Sequence, residues 1–179
     1  MARTLSLGLL GIVAATAWAG PPTRSASRKS GPASAARKAA RVTLPTRPDK
    51  RLTPDQVVKI QMEALQHNDV PKPDSGIATT FAFASPQNKS VTGPLDHFAL
   101  IVKGPAYLPM LNCRKITYDK VVIDGDTARQ RVHIVAADNT RITYVFELSL
   151  QKDGAYAGCW MNDGCIRDDS EADSHRFDA

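Results

Sequence analysis

A chain of 179 residues is long enough for one ordinary domain and too short for two. It is 42% hydrophobic and 23% charged, so part of it buries a core, yet no apolar run reaches the roughly 18 residues of a membrane-spanning helix. The net charge of +5 is unevenly held: residues 1–48 contain eight bases and no acid, which leaves fifteen bases against all eighteen acids in the remainder. The folded part is therefore net acidic and offers no basic stripe for nucleic acid.

The acid-free leader has two parts. Met1–Arg3 is a short basic start, Leu5–Trp18 is apolar or small apart from Ser6 and Thr16, and Ala17-Trp18-Ala19 before Gly20 has the small-x-small form of a signal cleavage site. Pro21–Pro48 continues with Ser, Ala, Arg and Lys, as an organelle transit segment does. A signal-like segment (1–19) followed by a transit-like one (20–48) resembles the bipartite leaders of algae whose plastid lies behind extra membranes. The expected destination is the plastid, with secretion as the alternative. Without internal counter-ions or an apolar stripe, residues 1–48 read as disordered.

The domain is expected over residues 52–167. Thr53-Pro54-Asp55-Gln56 is a capping box with proline at the first helical position, and Val57, Val58, Met62 and Leu65 recur at helical spacing, which predicts a helix over 54–67. Asn68–Pro73 ends it. Ile77, Phe81 and Ala84 suggest a second helical stripe, although Phe81-Ala82-Phe83 fits a strand as well. Pro94 opens another helix with Leu95, Phe98 and Val102 on one face, stopped by Gly104-Pro105; Tyr107, Leu108 and Leu111 form a short irregular or helical turn.

From Cys113 the hydrophobic period changes to two. Turn signals at Asp124-Gly125-Asp126, Asp138-Asn139 and Lys152-Asp153-Gly154 predict a four-stranded antiparallel meander. Three-residue loops at 124–126, 137–139 and 152–154 align Ile116, Ile134 and Ile142. They also align Tyr118, Val132 and Tyr144, then Phe146 with Trp160, Val122 with Ala128 and Leu148, and Leu150 with Tyr156. The other face pairs Asp119 with Arg131, Arg129 with Glu147, and Thr117 with His133. Helices followed by a curved sheet make an α+β fold, with the helices on the apolar face. The acidic segment 168–179 lacks periodicity and reads as disordered.

The runs Asp74-Ser75-Gly76-Ile77, Phe81-Ala82-Phe83-Ala84-Ser85-Pro86 and Thr92-Gly93-Pro94, with Phe98, resemble a small domain-of-unknown-function family of bacterial exported and plant or algal plastid proteins. So do Asp124-Gly125-Asp126, Gln130-Arg131-Val132, Tyr144, Phe146 and Gly158-Cys159-Trp160-Met161-Asn162-Asp163-Gly164. The resemblance covers most of residues 53–166. It implies a nuclear-transport-factor-2-like, cone-shaped α+β roll of cystatin-like layout, and brings no catalytic residue with it.

In such a cone one sheet face lines a concavity, the default place for a ligand. The expected register puts Tyr118, Lys120, Gln130, Tyr144, Phe146, Trp160 and Asn162 on that face: aromatic walls with a few polar anchors. Structural partners would account for the same residues, with Lys120 snorkelling, Asn162 bonding Tyr144 and Gln130 capped by a helix terminus. His97 and Asp96 diverge on their helix, His67 caps a helix end, and His133 lies on the solvated face. Asp163 points away from Trp160 and Asn162 unless a bulge re-aims it, and Cys159 and Met161 share its outer face without a partner base. Asp74 is a turn or cap residue.

No glycine-rich phosphate loop, Cys-x-x-Cys, His-Glu-x-x-His or Gly-x-Ser-x-Gly occurs, and no histidine–carboxylate spacing suits a metal, so neither cofactor nor metal nor catalytic residue is expected. Three cysteines (Cys113, Cys159 and Cys165) make a complete disulfide framework impossible and fit a reduced compartment. Asn88-Lys89-Ser90 is a glycosylation sequon by pattern. The expected function is a module that binds a protein partner or a small apolar ligand on the concave face, with a homodimer left open. The alternative is a lyase or isomerase using Tyr118 or Tyr144 as donor and Lys120 as the charged group.

Overall fold

Helix α1 (Pro54–Gln66) begins as its capping box requires: Gln56 Oε1 accepts the Thr53 N–H at 3.0 Å and Pro54 occupies the first turn. The computed structural model that shows this describes residues 45–170. The expectations for the leader up to residue 44 and for the tail beyond 170 lie outside the described residues. Val57, Val58, Met62 and Leu65 are buried as their spacing predicts, and Ile60 and Gln61 are buried beside them. Helix α1 is therefore covered on more than one side, and Gln61 must find polar partners inside.

Asn68 turns the chain into α2 (Ser75–Phe83). Its carbonyl accepts the Gly76 N–H at 2.9 Å, and its Oδ1 accepts the Ile77 N–H at 3.1 Å, so two buried first-turn donors of the new helix are satisfied. A Cβ on Gly76 would stand 2.1 Å from the Ala64 carbonyl oxygen, so only glycine permits this approach of α1 and α2. Phe81-Ala82-Phe83 is helical, which resolves the helix-or-strand ambiguity.

Helix α3 (Pro86–Thr92) has no counterpart in the hydrophobic pattern. It is short and presents no buried residue, but it is properly started: Ser85 Oγ accepts the Asn88 N–H at 3.2 Å, with Pro86 at the first position. Lys89 fastens it. The ammonium donates to the Ala82 carbonyl at 2.9 Å and lies 5.7 Å from the Phe81 ring centroid and 5.0 Å from that of Tyr156. Helix α4 (Leu95–Val102) buries Phe98 and Val102 and leaves Leu95 exposed, so its inward face is narrower than expected. A 3-10 turn at Leu108–Met110 leads to the sheet.

The sheet is antiparallel, with strands β1 (Lys115–Tyr118), β2 (Val122–Asp124), β3 (Thr127–Val135), β4 (Arg141–Leu150) and β5 (Trp160–Asp168). Both β1 and β2 pair with β3, one after the other, so five strands fill four lanes of a meander. The β3–β4 register is the expected one, with Ile134 opposite Ile142, Val132 opposite Tyr144, Gln130 opposite Phe146 and Ala128 opposite Leu148.

Two expected registers are corrected. The first lane breaks after Tyr118. Ile116 and Tyr118 face Ile134 and Val132 as expected, but β2 is shifted by one residue, and Ala128 meets Ile123 rather than Val122. The cause is the turn: Gly125, at φ 56°, supports a two-residue hairpin loop between the paired Asp124 and Thr127. In the second case, β5 pairs Leu150 with Trp160 and Phe146 with Cys165, where the pattern placed Leu150 against Tyr156 and Phe146 against Trp160. The connection is longer than three residues because it contains a 3-10 turn, Gly154–Tyr156, between two glycines at positive φ (Gly154 and Gly158).

The helices cover one face of the sheet. Val57, Val58, Met62, Leu65, Ile77, Phe83 and Phe98 form one buried cluster with Val132, Ile134, Tyr144, Phe146 and Leu148. Each such side chain contributes about 1.5–3 kcal/mol by leaving water. On the other face Arg129 pairs with Glu147 at 2.8 Å, Thr117 stands opposite His133, and Arg131 reaches Asp168 at 2.5 Å. The fold is α+β. No helix among the described residues is long and apolar enough to cross a membrane.

Candidate functional site

Asn162 joins the helical layer to the sheet. Its carbonyl accepts the Ser85 N–H at 2.8 Å and the Asn88 Nδ2 at 3.2 Å, which seats the start of α3 on β5. Its side chain donates from Nδ2 to Gln61 Oε1 at 2.8 Å, fully buried, and its Oδ1 accepts the Gly164 N–H at 3.0 Å. The last bond folds the strand over itself. Glu147 pairs with Gly164 and Leu148 with Asn162, so Asp163 has no place in the ladder and forms a β-bulge.

This junction shapes a cleft of about 390 Å³ between α2–α4 and β5. Leu65, Phe98, Ile101, Val102, Met110 and Phe146 supply apolar walls, and Thr80, Asn88, Tyr107, Asn162 and Asp163 supply polar groups. Most of those polar groups are already committed. Thr80 Oγ1 donates to the Gly76 carbonyl at 3.0 Å, Tyr107 OH donates to the Cys165 carbonyl at 2.9 Å, and Asn88 Oδ1 accepts from Thr92 Oγ1 at 3.0 Å. The Asn88 amide of the sequon is thus a structural tie between α3 and β5. Burial pushes the Tyr107 phenol and the Cys165 thiol upward, so both are neutral walls at physiological pH.

Of the seven candidate residues, only Phe146 and Asn162 line this cleft. Tyr144 is fully buried, with its OH donated to the Ala106 carbonyl at 2.8 Å and its ring stacked on Tyr107 at 6.4 Å; it supports the cleft wall from behind. Asn162 therefore bonds Gln61 and not Tyr144. Trp160 packs against the core opposite Leu150. Tyr118 points its OH into the interior without a partner, and burial, with the Glu63 carboxylate nearby, raises its pKa.

Gln130 is buried and donates from Nε2 to the Asp119 carbonyl at 2.8 Å, so it caps the break between β1 and β2 where the sequence suggested a helix terminus; its Oε1 has no partner. Lys120 is exposed. The one-residue shift beyond the break expels it and lets Val121 pack against the core instead. The constellation of Tyr118, Lys120, Gln130, Tyr144 and Asn162 does not converge on one cavity.

The remaining candidates fall as follows. His97 is exposed, with Nδ1 3.0 Å from the Thr92 carbonyl oxygen, and His67 caps α1 with Nδ1 3.0 Å from the Glu63 carbonyl oxygen. Asp74 caps α2 at φ 60° and pairs with Lys103 at 2.6 Å, which lowers its pKa. Cys159 and Met161, expected on the outer face, are both buried, because the longer connection and the bulge alter the course of β5. The three cysteines are free.

The outer face of the sheet carries a second hollow of about 500 Å³, beside Lys115, His133, Arg141 and Thr143. There His133 is held at both ring nitrogens: Nε2 lies 3.0 Å from Asp119 Oδ1 and Nδ1 lies 2.9 Å from Thr143 Oγ1. Sequence reasoning placed His133 on this face but missed the chain of partners, since Thr143 and Asp119 come from different lanes of the sheet.

Sequence comparison supports the coarser part of the expected resemblance, a domain-of-unknown-function family. No curated protein and no solved structure matches the chain. A family model does match, over residues 48–173, which spans α1 through β5 and includes every residue of the cleft. The chain belongs to the family described as domain of unknown function DUF4864.

Proposed function

We propose that this protein is a small binding module whose helix–sheet cleft takes a predominantly apolar small molecule. One observation carries the reading. The cleft has a volume of about 390 Å³ and apolar walls from both layers, within the range of about 300–1,000 Å³ typical of ligand sites. A binding role is favoured over acid–base catalysis because the groups that such chemistry would use are scattered. Lys120 is in solvent, the Tyr144 hydroxyl is committed to a backbone carbonyl, and the Tyr118 hydroxyl is buried without a partner. The test is a thermal-shift screen of apolar ligands, because a ligand selective for the native state raises its melting temperature. Ile101→Trp, which fills the cleft, abolishes the shift while the protein stays folded. No shift with any apolar ligand, or an undiminished shift in the filled variant, would contradict the reading.

The layered α+β arrangement also supports a relation to the nuclear-transport-factor-2-like roll, and the acid-free leader supports plastid delivery. A fluorescent protein fused behind residues 1–50 should enter the plastid of a complex-plastid alga, whereas residues 1–20 alone should stop in the secretory pathway. Cytosolic fluorescence with the longer fusion would overturn this routing.

A further inference from the structure

We infer that the cleft prefers ligands with an apolar body and a positively charged head, such as an alkylammonium, held at its mouth by Asp163. This rests on the cleft being the binding site. Among the described residues that line the cleft, Asp163 is the one charged residue, and no Lys, Arg or His is with it. It is there because of the bulge: Asn162 Oδ1 captures the Gly164 N–H, and the intervening carboxylate leaves the ladder. Asp163 is exposed and borders both this cleft and the outer hollow that holds Arg129 and Glu147. Bulges recur beside functional sites, where they take a residue out of the ladder.

The carboxylate is also uncommitted. Among the described residues Asp163 makes no ion pair or hydrogen bond, and the nearby Arg129, which shares an outer hollow with it, is paired with Glu147 at 2.8 Å. Asn88, Thr80, Thr92, Tyr107 and Asn162 already use side-chain donors internally, which leaves the neutral Gln87 amide as the other polar side chain at the cleft. An anionic head would meet a like charge beside apolar walls. A cationic head would meet a free carboxylate and gain a charge-assisted hydrogen bond. Ligand charge therefore sets the preference, and the apolar walls set the bulk of the affinity.

The test uses the full-length protein with octylamine, octanol and octanoate at neutral pH, which share a chain and differ in head-group charge. Octylamine should bind at least about threefold more tightly than octanol, with octanoate weakest, and added salt should narrow the difference. Asp163→Asn should reduce octylamine to the level of octanol and leave octanol unchanged, while Asp163→Glu should keep the preference. The inference is overturned if octanol binds as well as octylamine, or if Asp163→Asn leaves the ranking intact. If none of the three binds, the cleft itself is refuted as the binding site and the inference falls with it.

Discussion

Replacing Asn162 with alanine should be the most costly polar substitution in this domain. The side chain satisfies Gln61 Oε1 at 2.8 Å in the interior and the Gly164 N–H at 3.0 Å in the bulge. Gln61 is fully buried and its Nε2 already lacks a partner, so the substitution leaves both of its amide atoms unsatisfied. An unsatisfied buried acceptor costs about 1–3 kcal/mol and the lost bond at Gly164 about 0.5–1.5, which together give roughly 2–4 kcal/mol. That is a large part of an ordinary domain stability of about 5–15 kcal/mol. Urea denaturation of the full-length protein measures it, with an unchanged slope confirming that only stability moved. Gln61→Leu removes the stranded amide, so the double variant should cost about 1–2 kcal/mol less than the sum of the singles. A loss below about 0.5 kcal/mol for Asn162→Ala, or strict additivity, would refute the junction described above.

Other outcomes follow from the same geometry. Gly76→Ala should destabilise by at least about 1–3 kcal/mol, since its Cβ would meet the Ala64 carbonyl oxygen at 2.1 Å and α1 and α2 would have to separate; the melting temperature reports it. Tyr118→Phe should be neutral or slightly stabilising, because it removes a buried hydroxyl without a partner, whereas Tyr144→Phe should cost about 1 kcal/mol by losing the hydrogen bond to the Ala106 carbonyl. Stability should fall as pH rises through the alkaline range. Burial pushes the Cys113 thiol from 9.0 to about 11, so the native state keeps a proton that the unfolded chain releases. That contribution is fully present below pH 9 and is lost between pH 9 and 11, at a cost of about 2–3 kcal/mol. Tyr118 and Tyr144, also raised by burial, extend the decline above pH 10. The Cys165 thiol, also raised by burial, adds to the decline over the same range as Cys113, so Cys113→Ala should make the first part of the curve shallower without flattening it in pH-dependent urea titrations.

The sequence made the strongly periodic parts legible. Helix α1 followed from its capping box and from Val57, Val58, Met62 and Leu65, and the β3–β4 register followed from the loop at 137–139, since any one-residue slip would have turned Ile134 and Ile142 outward. What was not legible lay where local backbone chemistry overrides periodicity. Helix α3 carries no apolar stripe, although Ser85-Pro86 was a start signal in plain view. The β5 register was lost because a 3-10 turn with two glycines at positive φ lengthens the connection. Asn162-Asp163-Gly164 was the available sign of the bulge: a glycine inside a strand after a side chain able to bond its N–H. The cleft was invisible for the same reasons, because it needs α3, the bulge and the corrected β5 register together. Phe146 and Asn162 were identified as site residues from the alternation of the strands, while Asp163 was turned away by a register that the bulge breaks.

The cleft between the helical layer and β5 is the proposed binding site of this protein. Chemical-shift mapping of the backbone amides during titration with octylamine tests it most directly. The perturbed amides should cluster at Thr80, Phe98, Ile101, Phe146 and residues 162–165, and Ile101→Trp should abolish the perturbations. Perturbations centred instead on Lys115, His133 and Arg141, across the sheet, would contradict it.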